Sequence, residues 1–248
     1  MHTPSASELL QAWERGAESS AAARGLWLLD ASCEDFDAES LLALPLGRRD
    51  SLLLDLRERL FGRRIDGVAC CPACGAAVEA SFDVDALRQG TRPLGAGTNV
   101  DDVSSRELHL AGCSDPIRFR LPDSGDLLAM QASEDAAAAR RLLIQRCVIE
   151  GDKESVSLSD AAQLALAAAM AEADPQADLS LQFTCPDCHQ QWEPVFDMAR
   201  FVWQELHAWA LRLLRDIDTL ASSYHWSETD ILAMSPRRRQ AYLELCVS

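Results

Sequence analysis

In LLALPLGRRDSLLLDLRERLFG, Leu52, Leu53, Leu56 and Leu60 recur at the three- and four-residue steps of a helix, entered past Pro45 and Gly47. A longer stripe through Val202, Leu206, Trp209, Leu213, Ile217 and Leu220 predicts one helix from Asp197 to about Ser222. At ~1.5 Å per residue that helix spans on the order of 40 Å. Near the start, Leu9, Leu10 and Trp13 follow Ser5 and Ser7, either of which can cap a short amphipathic helix, while AESSAAARG reads as a loose helix or linker. ASEDAAAARRLLIQRCVIEG and LSDAAQLALAAAMAEAD are helical, the second capped by Ser159 and closed by Pro175; Asp123 or Ser124 caps a shorter helix from Leu127 to Met130. Ser227 with Asp230, and Ser235 with Pro236 at the first helical position, predict two short helices at the end.

Alternation marks the strands. RELHLAG and PIRFRLP form an expected hairpin around Gly112 to Asp115, LSLQFT is a further strand, and Gly90, Pro93, Gly95 and Gly97 mark a loop to about Asp102. GDKES is a polar break.

One pattern repeats. CPACGAAVEASFD (71–83) and CPDCHQQWEPVFD (185–197) align without a gap and share six of thirteen residues. Cys71, Pro72, Cys74, Glu79, Phe82 and Asp83 fall on Cys185, Pro186, Cys188, Glu193, Phe196 and Asp197. Two cysteines separated by two residues can turn both thiolates to one point, and Gly75 suits a positive φ after the second. His189 holds that place in the second unit and tolerates the conformation better than most residues. Each unit supplies two ligands and structural zinc takes four, so Cys71, Cys74, Cys185 and Cys188 predict one four-cysteine Zn²⁺ site. Each unit reads as strand, knuckle, strand: half a zinc ribbon. The trailing Phe-Asp starts a helix, with Asp83 and Asp197 as N-caps, and Phe82 with Leu87 and Phe196 with Phe201 at hydrophobic-staple spacing. Glu79 and Glu193 are expected to be solvated or paired across a strand. Cys70 is a register alternative to Cys71 that would break the C-x-x-C spacing. Cys33, Cys113, Cys147 and Cys246 are read as small buried residues, His189 and His207 as surface or helix-face residues.

The expected fold is therefore α+β, mainly helical, with a split four-cysteine zinc ribbon formed by two pseudo-repeated knuckles and a long C-terminal helix. Its expected parts are an N-terminal helical segment (1–45), a helix plus first knuckle (46–90), an inserted α/β region (91–180), and the second knuckle, long helix and helical hairpin (181–248).

Composition narrows the function. The chain has 248 residues, a formal net charge of -16 and nine cysteines. That charge argues against general nucleic-acid or anionic-membrane binding. MHTPSASELLQAWERG lacks the basic start and apolar run of a signal peptide, and no segment is apolar enough to span a membrane, so a cytoplasmic protein is expected, where disulfides are rare. No nucleophile elbow, phosphate-binding glycine loop or pair of acids suggests catalysis, and a zinc with four cysteine ligands has no open position, so one structural ion and no enzyme is the expectation. The alternatives are a zinc-ribbon adaptor touching nucleic acid through Arg237 to Arg239, and a thiol redox protein.

YHWSETDILAMSPRRRQAYLELC resembles a helix-turn-helix, but the overall charge favours a helical hairpin with Ile231, Leu232, Tyr242, Leu243 and Leu245 inward. Trp226, Met234, Arg237, Arg238, Arg239 and Tyr242 are its candidate partner-binding residues. Tyr224-His225-Trp226-Ser227-Glu228, Ile231-Leu232-x-Met234 and the arginines before Tyr242-Leu243 resemble a motif of small proteins from phage-type contractile-tail gene clusters. PLGRRDSLLLDLRERLFG before a C-P-x-C knuckle, and FRLPDSGDLLAM before a helix, are similar to T-even-type phage baseplate and baseplate-hub assembly proteins. The resemblance runs from about Leu44 onward, and the segment before Leu44 resembles nothing recognised. It implies a non-enzymatic assembly factor or component of a contractile tail or injection-system baseplate. The implied partners are baseplate or tail-tube proteins.

Overall fold

Ser5 opens the first helix with a reciprocal cap: the Glu8 N–H donates to its hydroxyl at 3.3 Å, and its own N–H donates to the Glu8 carboxylate at 2.7 Å. This is α1 (Ala6–Gly16) of a mainly helical chain whose computed structural model describes residues 1–88, 105–109, 116–149 and 160–246. After it come α2 (Ala21–Asp30), α3 (Ala38–Leu42), α4 (Leu46–Phe61), the antiparallel pair β1 (Arg64–Cys70) and β2 (Ala77–Asp83), and a 3-10 turn at Val84–Leu87. The pair β3 (Arg106–Leu108) and β4 (Ile117–Phe119) precedes α5 (Ser124–Met130), α6 (Ala136–Cys147) and α7 (Asp160–Ala173). The short pair β5 (Phe183–Thr184) and β6 (Gln191–Trp192) leads into α8 (Met198–Tyr224), α9 (Glu228–Leu232) and α10 (Pro236–Cys246).

Buried residues gather in three clusters along this order. The largest joins Leu9, Leu28, Leu29, Leu41 and the α4 leucines to Ile65, Leu179 and the first half of α8, including Met198, Val202 and Leu206. A second belongs to the region between the knuckles: Ile117 and Phe119 of β4 pack with Ile144, Cys147, Leu166 and Met170 of α6 and α7. The third lies where Leu10 and the second half of α8 meet Ile231 and the C-terminal helices. Direct bonds among the described residues tie the second cluster's region to the first. The Asp174 carboxylate accepts the Gly47 N–H at 2.8 Å, Pro122 O accepts the Leu46 N–H at 2.9 Å, and Gln176 donates to Leu87 O at 3.0 Å.

Several expectations are corrected. Of the two readings of AESSAAARG, the helix holds and the linker does not: from Ala21 it is α2, capped by Ser20 and carrying Leu28 and Leu29 fully buried. The LSLQFT strand shrinks to Phe183–Thr184, because Pro194 opposite has no N–H to give; its carbonyl still accepts the Leu181 N–H at 3.2 Å. Asp83 caps only a 3-10 turn, through the Asp85 N–H at 3.0 Å. Leu245 is 64% exposed, since α10 turns Tyr242, Leu243 and Cys246 to the core instead. Glu193 lies past β6 and has the cross-strand partner expected of it, accepting the Ser180 hydroxyl at 2.6 Å. Cys113, Ser159, the GDKES break, the glycine-rich loop to Asp102 and the β3–β4 turn lie outside the described residues.

Candidate metal centre

The two knuckles are built alike, atom for atom along the backbone. In the first, the Cys71 N–H donates to Ala76 O and the Gly75 N–H to Cys71 O, both at 2.9 Å. In the second, the Cys185 N–H donates to Gln190 O at 2.9 Å and the His189 N–H to Cys185 O at 3.0 Å. Gly75 (φ 76°) and His189 (φ 58°) both take the left-handed conformation that closes the turn, as their places in the repeat require. The flanking strands differ in length: β1 and β2 pair over seven positions, from Arg64 with Asp83 to Cys70 with Ala77, whereas β5 and β6 pair over two. Phe183 and Trp192 compensate by stacking across that short pair, their rings 5.2 Å apart.

The repeats also meet at their ends. Phe82 and Phe196, which occupy the same place in the two units, pack edge to face at 6.3 Å, and Phe196 reaches Phe201 at 5.1 Å in the expected staple. Asp197 then caps α8, accepting the Arg200 N–H at 3.0 Å. Arg57 of α4 completes the frame with a fork to Glu205 of α8, two bonds of 2.8 Å, and a 2.6 Å bond to Gly62 O just before β1.

This frame brings Cys71, Cys74, Cys185 and Cys188 together, with all four Sγ atoms within 4.8 Å of one another. Sγ of Cys71 lies 3.6 Å from Sγ of Cys188, and Sγ of Cys74 lies 3.6 Å from Sγ of Cys185. A disulfide needs about 2.05 Å, so these are not disulfides. Four sulfurs each ~2.3 Å from a common ion in a tetrahedron are separated by about 3.8 Å, close to both distances. The donor set and spacing therefore fit a metal ion. Cys71 and Cys185 are buried and Cys74 and Cys188 exposed, so one wall of the site faces protein and the other solvent. Cys70 ends β1 exposed and stays outside the cluster.

Burial opposes ionisation of Cys71, but N–H groups of Cys74 and Ala73 and the neighbouring sulfurs draw it down to about 7. For Cys74 the Ala76 N–H favours the thiolate, yet the sulfurs of Cys188 and Cys185 outweigh it and push the thiol up to about 12. Cys188 is also raised, against the pull of the Gln190 N–H. Cys71 favours the thiolate while Cys74 and Cys188 resist it, an electrostatic demand that a bound cation relieves.

Beside this centre, β1, the β5–β6 arm and α8 line a groove of about 440 Å³. Val68 and Val195 on its walls are 67% and 70% exposed. At the far end of α8, the candidate partner-binding residues divide. Trp226 stacks on Tyr224 at 4.5 Å and meets Tyr242 edge-on at 4.8 Å, so these aromatics mostly cover one another. Met234 is half-buried, Arg237 and Arg238 are exposed, and Arg239 is 8% exposed. Sequence reasoning missed Arg212 and Arg215, which line a recess with Arg239 and with Trp209 of the apolar stripe; their places on α8 read only as the polar side of a helix. His207, read as a helix-face residue, accepts the Trp13 indole N–H at 3.0 Å and fastens α1 to α8.

The model of a family described as T4 bacteriophage base plate protein matches residues 8–203. That span takes in the N-terminal segment before Leu44, which by itself resembled nothing, and ends before Tyr224, where the C-terminal motif begins. Searches of curated proteins and of solved structures find no match.

Proposed function

We propose that this chain, which belongs to the T4 bacteriophage base plate protein family, is a zinc-stabilised assembly factor or component of a phage-like contractile tail or injection-system baseplate. It works through protein–protein contacts. The observation that carries the reading is the family match over residues 8–203, which includes both knuckles and most of the large core. Within it, Cys71, Cys74, Cys185 and Cys188 would hold one Zn²⁺ as a closed, split zinc ribbon, and the ion would supply cross-linking and charge neutralisation. A full sulfur set leaves no position for water, so the centre serves the fold and the chain acts without catalysing a reaction.

Protein contacts are supported by two surfaces: the apolar groove beside the knuckles and the C-terminal helical hairpin with Trp226, Met234, Arg237, Arg238, Arg239 and Tyr242. Among the described residues no helix is long and apolar enough to cross a membrane, which is compatible with assembly in the cytoplasm. The four expected parts, 1–45, 46–90, 91–180 and 181–248, remain our proposed division, with 91–180 as the insert. Co-expression with baseplate and tail-tube proteins from the same genome tests the function. At least one should co-purify with the tagged chain; recovery of none would refute the reading.

A further inference from the structure

Several arginines of this acidic chain sit on carboxylates. Arg57 forks onto Glu205, Arg63 holds Asp83 and Asp85, Arg88 holds Asp55 and Glu58, and Arg120 and Arg146 converge on the buried Asp126. Arg212, Arg215, Arg237, Arg238 and Arg239 form no ion pair among the described residues, although the chain carries 39 acidic residues against 23 Lys and Arg. Arg212, Arg215 and Arg239 line one recess of about 370 Å³, walled by Trp209 and Leu213 and edged by Gln240 and Asp216.

Arg239 makes the recess more than a charged surface. It is 8% exposed, and its guanidinium has no hydrogen-bond or ion-pair partner among the described residues. Its nitrogens still touch solvent, so the guanidinium opens into the recess and can pair with an anion that enters there. The planar fork of a guanidinium matches a carboxylate with two parallel hydrogen bonds. Trp209 and Leu213 offer an apolar wall for the methylenes of a Glu side chain. A nucleic-acid strand would bring a continuous run of phosphates towards a chain of net charge -16, whereas a short acidic segment needs to enter only here.

We infer that the recess between α8 and α10 binds an acidic segment of a partner protein, its carboxylates pairing with Arg239, Arg212 and Arg215. The inference rests on the protein-contact reading above and names the chemistry of one contact. The test is fluorescence anisotropy of a labelled oligoglutamate peptide with the full chain at low salt, using wild type, Arg239→Met, and the exposed double variant Arg212→Glu/Arg215→Glu. Wild type should bind saturably, and each variant should bind on the order of tenfold more weakly or worse, as expected for losing charge-assisted hydrogen bonds. Unlabelled oligoglutamate should compete better than inorganic phosphate or single-stranded DNA, and oligoglutamine should not compete. Absent binding overturns the inference. So does binding that survives the double variant, which keeps the test decisive if Arg239→Met misfolds, or stronger competition by phosphate or DNA. If baseplate partners still co-purify with the double variant, this inference fails and the proposed function stands. If none co-purifies with wild type, the function itself fails.

Discussion

Sγ of Cys71 and Sγ of Cys188 lie 3.6 Å apart although 117 positions separate them in the chain. The first knuckle follows α4 and the second precedes α8, so closing the sulfur cluster also fixes how these two helices meet, with Arg57 and Glu205 forked between them. A cross-link that closes so long a loop is among the most stabilising a chain can make.

Replacing Cys185, the fully buried cysteine of the cluster, with Ser should therefore be severe. Loss of the site is expected to cost about 3 kcal/mol or more, a fall of about 10 °C in Tm. Thermal melts followed by circular dichroism check this, and Cys70→Ser should melt within about 1–2 °C of wild type, as an exposed surface change does.

Arg57→Met should cost about 2–3 kcal/mol, because it leaves Glu205 half-buried without its partner and frees Gly62 O, to which Arg57 also donates. Urea denaturation measures the change. Zinc content should remain that of wild type, since Arg57 orients the frame and holds no metal.

Gly47→Ala should weaken the seating of the insert by about 2 kcal/mol. A methyl there overlaps the Asp174 carboxylate that accepts the Gly47 N–H, so either the bond or the helix start must give way. Amide exchange should rise in α7 more than in α8.

Acid should act through Asp126. Burial raises its carboxyl, but the bonds from Arg120, from the Asp123 N–H and from Arg146 outweigh this and hold it down at about 2. A depressed folded value means the stabilisation is full above the ordinary carboxylate range near ~4 and is lost as pH falls from there through about 2. Wild type should lose stability across that window in urea titrations. Asp126→Asn, already weaker by about 3 kcal/mol at pH 7, should change less.

Much of this was legible in the sequence because the signals are local and periodic. The α8 stripe, the Ser5, Asp123, Asp197 and Ser227 caps and the two knuckle turns all appear where spacing put them. The Phe196–Phe201 staple formed as expected, and the unexpected contact of Phe82 with Phe196 needed the two repeats brought face to face. What escaped reading depends on tertiary context. Alanine-rich α2 carries a weak pattern, and only packing of its Gly25 against Ala199 and Leu53 explains why a small-residue segment belongs in the core. Leu245 is exposed while Tyr242 and Leu243 face the core as expected, because Cys246 and Arg239 complete the inward face of α10 instead, a choice that depends on α8 and not on the local pattern. The Arg239 recess needs residues from α8 that lie some thirty positions earlier in the chain.

The account turns on one ion joining two half-sites, and native mass spectrometry of the intact chain, with elemental analysis of the same sample, measures it directly. One zinc per chain, lost in Cys71→Ser and equally in Cys188→Ser, is the predicted result. A metal-free chain that folds and melts as stably as the zinc-supplemented one would contradict it.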